Sequence, residues 1–277
     1  MNQFPTKILL ATDGSEATEQ ATEAAVDLSN KGGSELHVVH VWHDVPGPYA
    51  HKFVRGELRR QGQETLDEQV RKIEGAGATV AKAHLRGGRT TDEVIKLGDE
   101  LDVDLLVVGS RGLRGMRRIL IGSHSEDIVH HAHRAVLVVP GRENVWPPAQ
   151  IVAGDDFSED AKKAAELAAA LGKHFGARML LLHAVSQASG EAVEGKLEER
   201  ADELEDILEE RPQTRVVQGD PAKVIIEAER EGEGPTLVAV GSRGLGLEER
   251  VGLGGVSAKV IRAGLGAVLV YPPVGER

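Results

Sequence analysis

The 277-residue chain contains no cysteine, which removes disulfides, thiolate nucleophiles and cysteine-ligated zinc from consideration. It also lacks a surplus of basic charge. The formal net charge is −11, and a face that follows a phosphate backbone needs the opposite sign, so nucleic acid is not expected as a partner. No apolar run approaches the ~18 residues of a membrane span. The opening stretch MNQFPTKILLATDGS does not have the form of a signal peptide and reads as a strand entering a turn. Two catalytic signatures are missing as well. Without a G-x-x-x-x-G-K-[ST] loop a fast phosphate-loop NTPase is disfavoured, and neither DGSEA nor GSHSE completes the G-x-S-x-G nucleophile elbow. The expectation that survives is a cytoplasmic globular protein, long enough for about two domains at ~100–200 residues each.

What the chain does contain, it contains twice. KILLATDGSEATEQATEAAVDL (7–28) returns as QIVAGDDFSEDAKKAAELAAAL (150–171), each an apolar run, a turn with Asp, a Ser in N-cap position and an alanine-rich helical stretch. SELHVVHVW (34–42) matches ARMLLLHAV (177–185), DLLVVGSRG (104–112) matches TLVAVGSRG (236–244), and RAVLVVP (134–140) matches GAVLVYP (266–272). Aligning the acidic turns pairs Asp13 with Asp155, and aligning the later glycines pairs Gly109 with Gly241. The first half carries the extra segment HDVPGPYAHKF between its second strand and third helix. The tandem prolines of GRENVWPPAQ (141–150) mark a short stiff linker, so the expected domains are residues 1–141 and 148–277.

Within each half, apolar runs of five or six residues alternate with longer helical stretches. That pattern predicts an α/β fold with a parallel sheet covered by helices on both faces. Right-handed crossovers narrow the topology to flavodoxin-like or Rossmann-like arrangements. Ligands in such sheets bind beyond the carboxyl ends of the strands where strand order reverses, and the first and fourth runs end near Asp13 and Gly109.

The stretch VVGSRGLRGMRRILIGSHS (107–125) lies at that end. Gly109 and Gly112 follow a buried run, where a sharp turn calls for the positive φ that glycine permits. Gly122 then precedes Ser123, a natural N-cap. A glycine-rich loop feeding a helix N-terminus presents unpaired N–H groups and a positive dipole end, which suits an anion. Arg111, Arg114, Arg117 and Arg118 stand between them with no acidic residue. The plainer reading is a tight loop with solvated arginines. The second copy, AVGSRGLGLEERVGLGGVS (239–257), keeps Gly241, Gly244 and Gly254 but has Gly255 in the serine's place, and Arg243 and Arg250 are offset by Glu248 and Glu249. Its pocket is expected to hold phosphate more weakly.

The spacing Gly109-x2-Gly112-x9-Gly122-Ser123, together with KILLATDGSE and the terminal AVLVVP, closely resembles the ATP-binding signature of universal stress proteins, and the resemblance extends over nearly the whole chain as two tandem domains. It implies a five-stranded Rossmann-like sheet of order 3-2-1-4-5 in each half. Carried over by position, Ala11, Thr12 and Asp13 line the nucleotide and Val41 meets the adenine through its backbone. Val108, Gly109, Arg111 and Gly112 border ribose and phosphates, and Gly122, Ser123, His124 and Ser125 hold the phosphates. The weaker second site comprises Ala153, Gly154, Asp155, Gly241, Arg243, Gly244, Gly254, Gly255, Val256 and Ser257. The implied cofactor is ATP, with Mg or Mn bridging its phosphates. The resemblance also implies that the final strands, AVLVV (135–139) and AVLVY (267–271), pair as an internal pseudo-dimer. Pairing between chains is the alternative, and further self-association through other surfaces stays open.

Other features take a structural reading. His130, His131 and His133 lack an i, i+4 pair, so no metal site is assigned to them. GKLEERADELEDILEER (195–211) is an acidic amphipathic helix with a solvated face. Three functions remain open: a nucleotide-dependent regulatory or stress-response protein, a nucleotide-independent interaction protein on the same fold, and a slow ATPase. Bound adenine nucleotide on the purified protein separates the first two. Turnover above a Ser123→Ala control identifies the third.

Overall fold

The computed structural model of the chain describes residues 4–44, 52–110, 123–186, 191–242 and 255–273. The first half runs β1 (Lys7–Ala11), a 3-10 turn (Glu16–Thr18), α1 (Glu19–Gly32), β2 (Glu35–Trp42), α2 (Lys52–Gly75), β3 (Val80–Gly87), α3 (Thr90–Leu101), β4 (Leu105–Ser110), α4 (Ser123–His131) and β5 (Ala135–Pro140). The second half repeats it as β6 (Gln150–Gly154), α5 (Glu159–Phe175), β7 (Arg178–Val185), α6 (Glu191–Leu208), β8 (Gln213–Gln218), α7 (Pro221–Glu231), β9 (Thr236–Gly241), α8 (Gly255–Ala263) and β10 (Ala267–Tyr271). The central strands β1, β4, β5, β6, β9 and β10 are apolar almost without interruption because both faces of the sheet are covered there. The outer strands β3 and β8 are largely polar and part-exposed. Ile8 and Leu10 pack with α1 and α2, while Leu9 packs with α3 and α4. Among the described residues no helix is long and apolar enough to cross a membrane.

Each half is a parallel sheet, ordered β3-β2-β1-β4-β5 in the first and β8-β7-β6-β9-β10 in the second, and the two join as one ten-stranded sheet. The join is the antiparallel pair β5·β10, with Val136, Leu137 and Val138 facing Val270, Leu269 and Val268. The two apolar edges therefore cover each other within one chain, which removes the hazard of an open edge. The linker does more than span the gap. Val145 and Trp146 are buried, the Trp146 indole N–H donates to Asp27 Oδ2 of α1 at 3.1 Å, and its ring meets Phe175 of α5 edge-on at 5.0 Å. Lys31 of α1 lies over the Phe175 ring, and Phe4 packs on His174. On the opposite face Arg262 of α8 bridges to Glu126 of α4.

The halves differ at the first helix. Ser158 caps α5, its hydroxyl accepting from Ala161 N at 3.2 Å. Ser15, read as its equivalent cap, instead donates its hydroxyl to Asp13 Oδ1 at 2.6 Å. The 3-10 turn then carries the chain to Thr18, which precedes α1 without a side-chain cap bond.

Candidate functional site

In the first half a cleft opens at the carboxyl ends of β1, β2 and β4, between the N-terminal ends of α3 and α4. Its floor is apolar, made by Ala11, Val39, Val41, Val94, Val108 and Ile128. Its rim is polar, with Thr12, Asp13, Ser15, Thr90, Ser110, His124 and Ser125. Eight residues named from the sequence meet here: Ala11, Thr12, Asp13, Val41, Val108, Gly109, His124 and Ser125. Ser123 is the first residue of α4. Arg111, Gly112 and Gly122, with Arg114, Arg117 and Arg118, lie outside the described residues. Sequence reasoning missed Val39, Val94, Thr90, Ser110 and Ile128. Strand alternation could have found Val39, which sits two residues before Val41 on the same face. Ser110 is 1% exposed and its hydroxyl has no hydrogen-bond partner among the described residues, an unusual condition for a buried polar group.

Local hydrogen bonds tie the elements around the cleft together. The Asp13 carboxylate accepts from Ser15 N at 3.0 Å as well as from the Ser15 hydroxyl, all through Oδ1. His40 Nδ1 donates to the Thr12 carbonyl at 3.0 Å, fixing the end of β1 against β2. The Ser125 hydroxyl donates to the Gly109 carbonyl at 2.7 Å. Its single proton is therefore committed to tying α4 to the end of β4, which differs from the phosphate-donating role expected of it. Ser257 makes the same bond to the Gly241 carbonyl in the second half.

Gly109 also serves for a different reason from the one its position suggests. It lies inside β4 and is not among the residues with positive φ. A Cβ there would stand 2.9 Å from Thr18 Cγ2, 3.0 Å from the Ala17 carbonyl oxygen and 3.1 Å from Thr18 Cα. Glycine is required because the 3-10 turn lies directly on the strand. Gly241 is pressed in the same way by Asp160 and Ala161. Gly109→Ala should therefore cost about 1–3 kcal/mol by overpacking, read as a lower urea midpoint at unchanged m. Gly195→Ala, on α6 with open space around it, should gain up to ~1 kcal/mol. Equal midpoints for wild type and Gly109→Ala would show that the turn moves aside freely.

The second half corrects the pairing of aspartates. Thr12 N donates to the Val39 carbonyl, and Asp155 N donates to the matching Leu182 carbonyl. His40 bonds the Thr12 carbonyl, and His183 bonds that of Asp155. Asp155 thus takes the place of Thr12, and the counterpart of Asp13 is Asp156, whose Oδ1 accepts from Ser158 N. Gly154 replaces Ala11, and Ala153 points to the α5 side of the sheet, away from any second cleft. Arg243, Gly244 and Gly254 lie outside the described residues, as do Glu248, Glu249 and Arg250.

This shift places a buried charge where the first half is neutral. The Thr12 hydroxyl lies 3.1 Å from Thr18 Oγ1 and 3.5 Å from Gln69 Oε1 of α2. Asp155, with no side-chain exposure, instead faces Arg200 of α6 at 3.4 Å. Burial pushes the Asp155 carboxyl above the usual carboxylate range, against the pull of Arg200 and the Phe157 N–H. Phe157 replaces Gly14 at the same positive φ (66° against 77°) and is held there by stacking on His183. The cleft region is also narrower. Ile225 Cδ1 lies 2.6 Å from where a Gly154 Cβ would stand. Asp220 caps α7, accepting from Lys223 N and pairing with Lys259 of α8, whereas α3 has no side-chain cap. Gly255 opens α8 without a positive φ and, among the described residues, with nothing within 4 Å of where a Cβ would stand, and Val256 follows, half-buried.

Comparison with known proteins gives a consistent result. A family model described as the universal stress protein family matches residues 5–140 and again 149–272. A universal stress protein of Methanocaldococcus jannaschii is 28% identical over 138 residues, which is 48% of this chain and 81% of that protein. One of Bacillus subtilis strain 168 is 29% identical over 146 residues, 48% of this chain and 97% of that protein. Among solved structures, a universal stress protein from Archaeoglobus fulgidus DSM 4304 is 26% identical and superposes with a TM-score of 0.81, covering 96% of this chain and 98% of its own. A structure from Pseudomonas aeruginosa UCBPP-PA14, 13% identical with a TM-score of 0.73 over 98% of this chain and 94% of its own, shares the fold.

Proposed function

This chain belongs to the universal stress protein family, and on that premise we propose that its first half binds ATP and that the protein is a cytoplasmic, nucleotide-dependent regulator in a stress response. The proposal takes residues 1–141 and 148–277 as its two domains. The observation that carries it is the cleft itself, where five separated segments supply an apolar floor and a polar rim at the strand ends. A purine ring suits that floor of Ala11, Val39, Val41, Val94, Val108 and Ile128, with the Val41 backbone at its edge. The rim offers Asp13, Thr90 and the hydroxyl of Ser110, unpartnered among the described residues, to ribose and phosphate. Gly109, Gly112, Gly122, Ser123 and His124, with Arg111, are the residues proposed to receive the phosphates, using the α4 N-terminus and the loop arginines. Asp13 Oδ2 would meet a magnesium or manganese ion, whose chemistry is to neutralise phosphate charge.

The experiment that tests this reading is identification and counting of copurified nucleotide, followed by calorimetry on stripped protein. Adenine nucleotide at close to one per chain is the expected outcome. Stripped protein with no heat of ATP binding overturns the reading.

The second half is proposed as the weaker site, since it lacks the serine hydroxyl, has a neutral loop, and carries Asp155 and Asp220 near its strand ends. Restoring the hydroxyl by Gly255→Ser meets no steric obstacle among the described residues and no positive φ. One charge-assisted hydrogen bond is worth ~1.5–3 kcal/mol, so this change should tighten the second site about tenfold in calorimetry. An unaltered weak site would mean that the missing hydroxyl is not what weakens it.

A further inference from the structure

Outside the cleft, the first half buries two imidazoles against each other. His37 of β2 and His84 of β3 are 5% and 8% exposed, and His37 Nδ1 stands 3.1 Å from His84 Nε2. The other His37 nitrogen, Nε2, lies 2.9 Å from Glu35 Oε1. These contacts fix both tautomers. A carboxylate only accepts, so His37 carries its proton on Nε2 and leaves Nδ1 bare, and His84 must donate to it from Nε2. His84 Nδ1 is then the basic nitrogen that remains to the chain of three residues.

The surroundings oppose a positive charge at that nitrogen. Lys82 and Arg86 flank His84 along β3, and β1 contributes Lys7, whose ammonium is turned to the Leu101 carbonyl at 2.8 Å. The acidic groups are Glu35 on β2 and Glu100 on α3, and Arg86 already engages Glu100. Burial first, then His37, Lys82 and Arg86, lower the His84 pKa to about 4, with Glu100 pulling the other way. Two facing nitrogens could also straddle a metal ion. The neighbouring cations oppose that, and among the described residues no three ligating side chains converge.

We propose that the Glu35–His37–His84 chain is an acid sensor, in which proton uptake at His84 loosens the β2–β3 edge of the first half. Two further observations give it direction. Among the described residues β3, like β8, is an outer strand with one neighbour, so it has less to lose on opening than the strands paired on both sides. Val39, which floors the cleft, is the β2 residue directly opposite His84. Loosening the edge therefore reaches the cleft, a consequence that rests on the nucleotide reading above. The second half has no such chain. Arg215 stands opposite Leu182 where His84 stands opposite Val39, and Leu180 takes the place of His37.

His84 binds its proton less tightly folded than unfolded. It therefore leaves stability untouched above about pH 6.5, weakens the closed edge as pH falls from 6.5 toward 4, and adds no further loss below that. At pH 5 the opening of β3 should be favoured about 30-fold over its value at pH 7.5.

Amide hydrogen exchange of the full chain without nucleotide, expressed as protection factors at pH 7.5 and pH 5, tests this. β3 should lose about 30-fold in protection while β8 keeps its own, beyond any change common to the whole molecule. In His84→Gln the amide still donates to His37 Nδ1 but takes up no proton, so β3 should keep its neutral-pH protection at pH 5. In wild type, the His84 ring resonances should titrate well below pH 6. Protection of β3 that does not change with pH, an unchanged loss in His84→Gln, or His84 titrating near 6.5 each overturns the sensor. If His84→Gln does not fold, the wild-type exchange and titration decide the matter. ATP affinity that falls at pH 5 in wild type but not in the variant would extend the sensor to the cleft. A chain that binds no ATP would sink the nucleotide reading and leave the exchange result standing.

Discussion

Replacing Leu269 with proline should destabilise both halves together, not the second alone. Leu269 sits in the middle of β10, opposite Leu137 across the antiparallel seam and opposite Ala239 in β9. A proline there has no N–H for the ladder, and the interior of a sheet tolerates it poorly. The abandoned partner carbonyl costs ~1–3 kcal/mol, and the lost burial of a leucine costs ~2 kcal/mol more. Together these take about 3–5 kcal/mol from a typical ~5–15 kcal/mol. Leu137 and Leu269 are both fully buried and belong to one core that also contains Trp146, Leu10 and Ile151. Damage on one side of the seam therefore removes contacts from the other. Hydrogen exchange should show β5 losing protection along with β10 in Leu269→Pro, and Leu137→Pro should show the converse. Exposure of the AVLVV and AVLVY edges should make both variants aggregate on warming. Soluble variants with unchanged melting and a protected β5 would mean that the seam does not bind the halves together.

The fold was legible because its signals are periodic and repeated. Short apolar runs alternating with alanine-rich helices specify a covered parallel sheet, and the duplication checks each element against its twin. Details set by single hydrogen bonds were not legible. GDDF offers two adjacent aspartates for one TDG. Composition alone pairs either with Asp13, and the bonds from Asp155 N to Leu182, from His183 to the Asp155 carbonyl and from Ser158 N to Asp156 show that Asp155 stands in for Thr12. Gly109 was picked out by its motif, but its cause was misjudged. Close approach and positive φ both select glycine, and the contact with Ala17 and Thr18 comes from a turn some ninety residues away in the chain. The His37–His84 pair gives no local signal, since two strands that meet in register can be far apart in sequence. Phe157 at positive φ runs against sequence expectation, and is understood only from the His183 ring beneath it.

If the first half binds ATP as proposed, Gly122→Val should cost it most of that affinity while leaving the fold nearly as stable. Gly122 directly precedes Ser123, the first residue of α4. The N–H groups at a helix start have no partner within the helix, and a phosphate oxygen must come within ~3 Å of their nitrogens to bond them. On the proposed reading, a branched side chain one residue before that helix start would hinder the phosphate, whereas glycine would not. Losing two charge-assisted hydrogen bonds at ~1.5–3 kcal/mol each amounts to a loss of 100-fold or more at 1.4 kcal/mol per tenfold. The arginines at 111, 114, 117 and 118 would still attract the triphosphate. The residual binding should therefore be weak and strongly dependent on salt, since screened charge contributes little beyond ~8–10 Å. The matched change Gly254→Val acts on the loop that carries two arginines and two glutamates, and should leave the tighter site untouched. Calorimetry on stripped protein then distinguishes the halves. Wild type should give one strong and one weak ATP site, Gly122→Val only the weak one, and Gly254→Val only the strong one. Unchanged affinity in Gly122→Val would falsify the assignment of phosphate to the start of α4, and two equal sites in wild type would overturn the asymmetry between the halves.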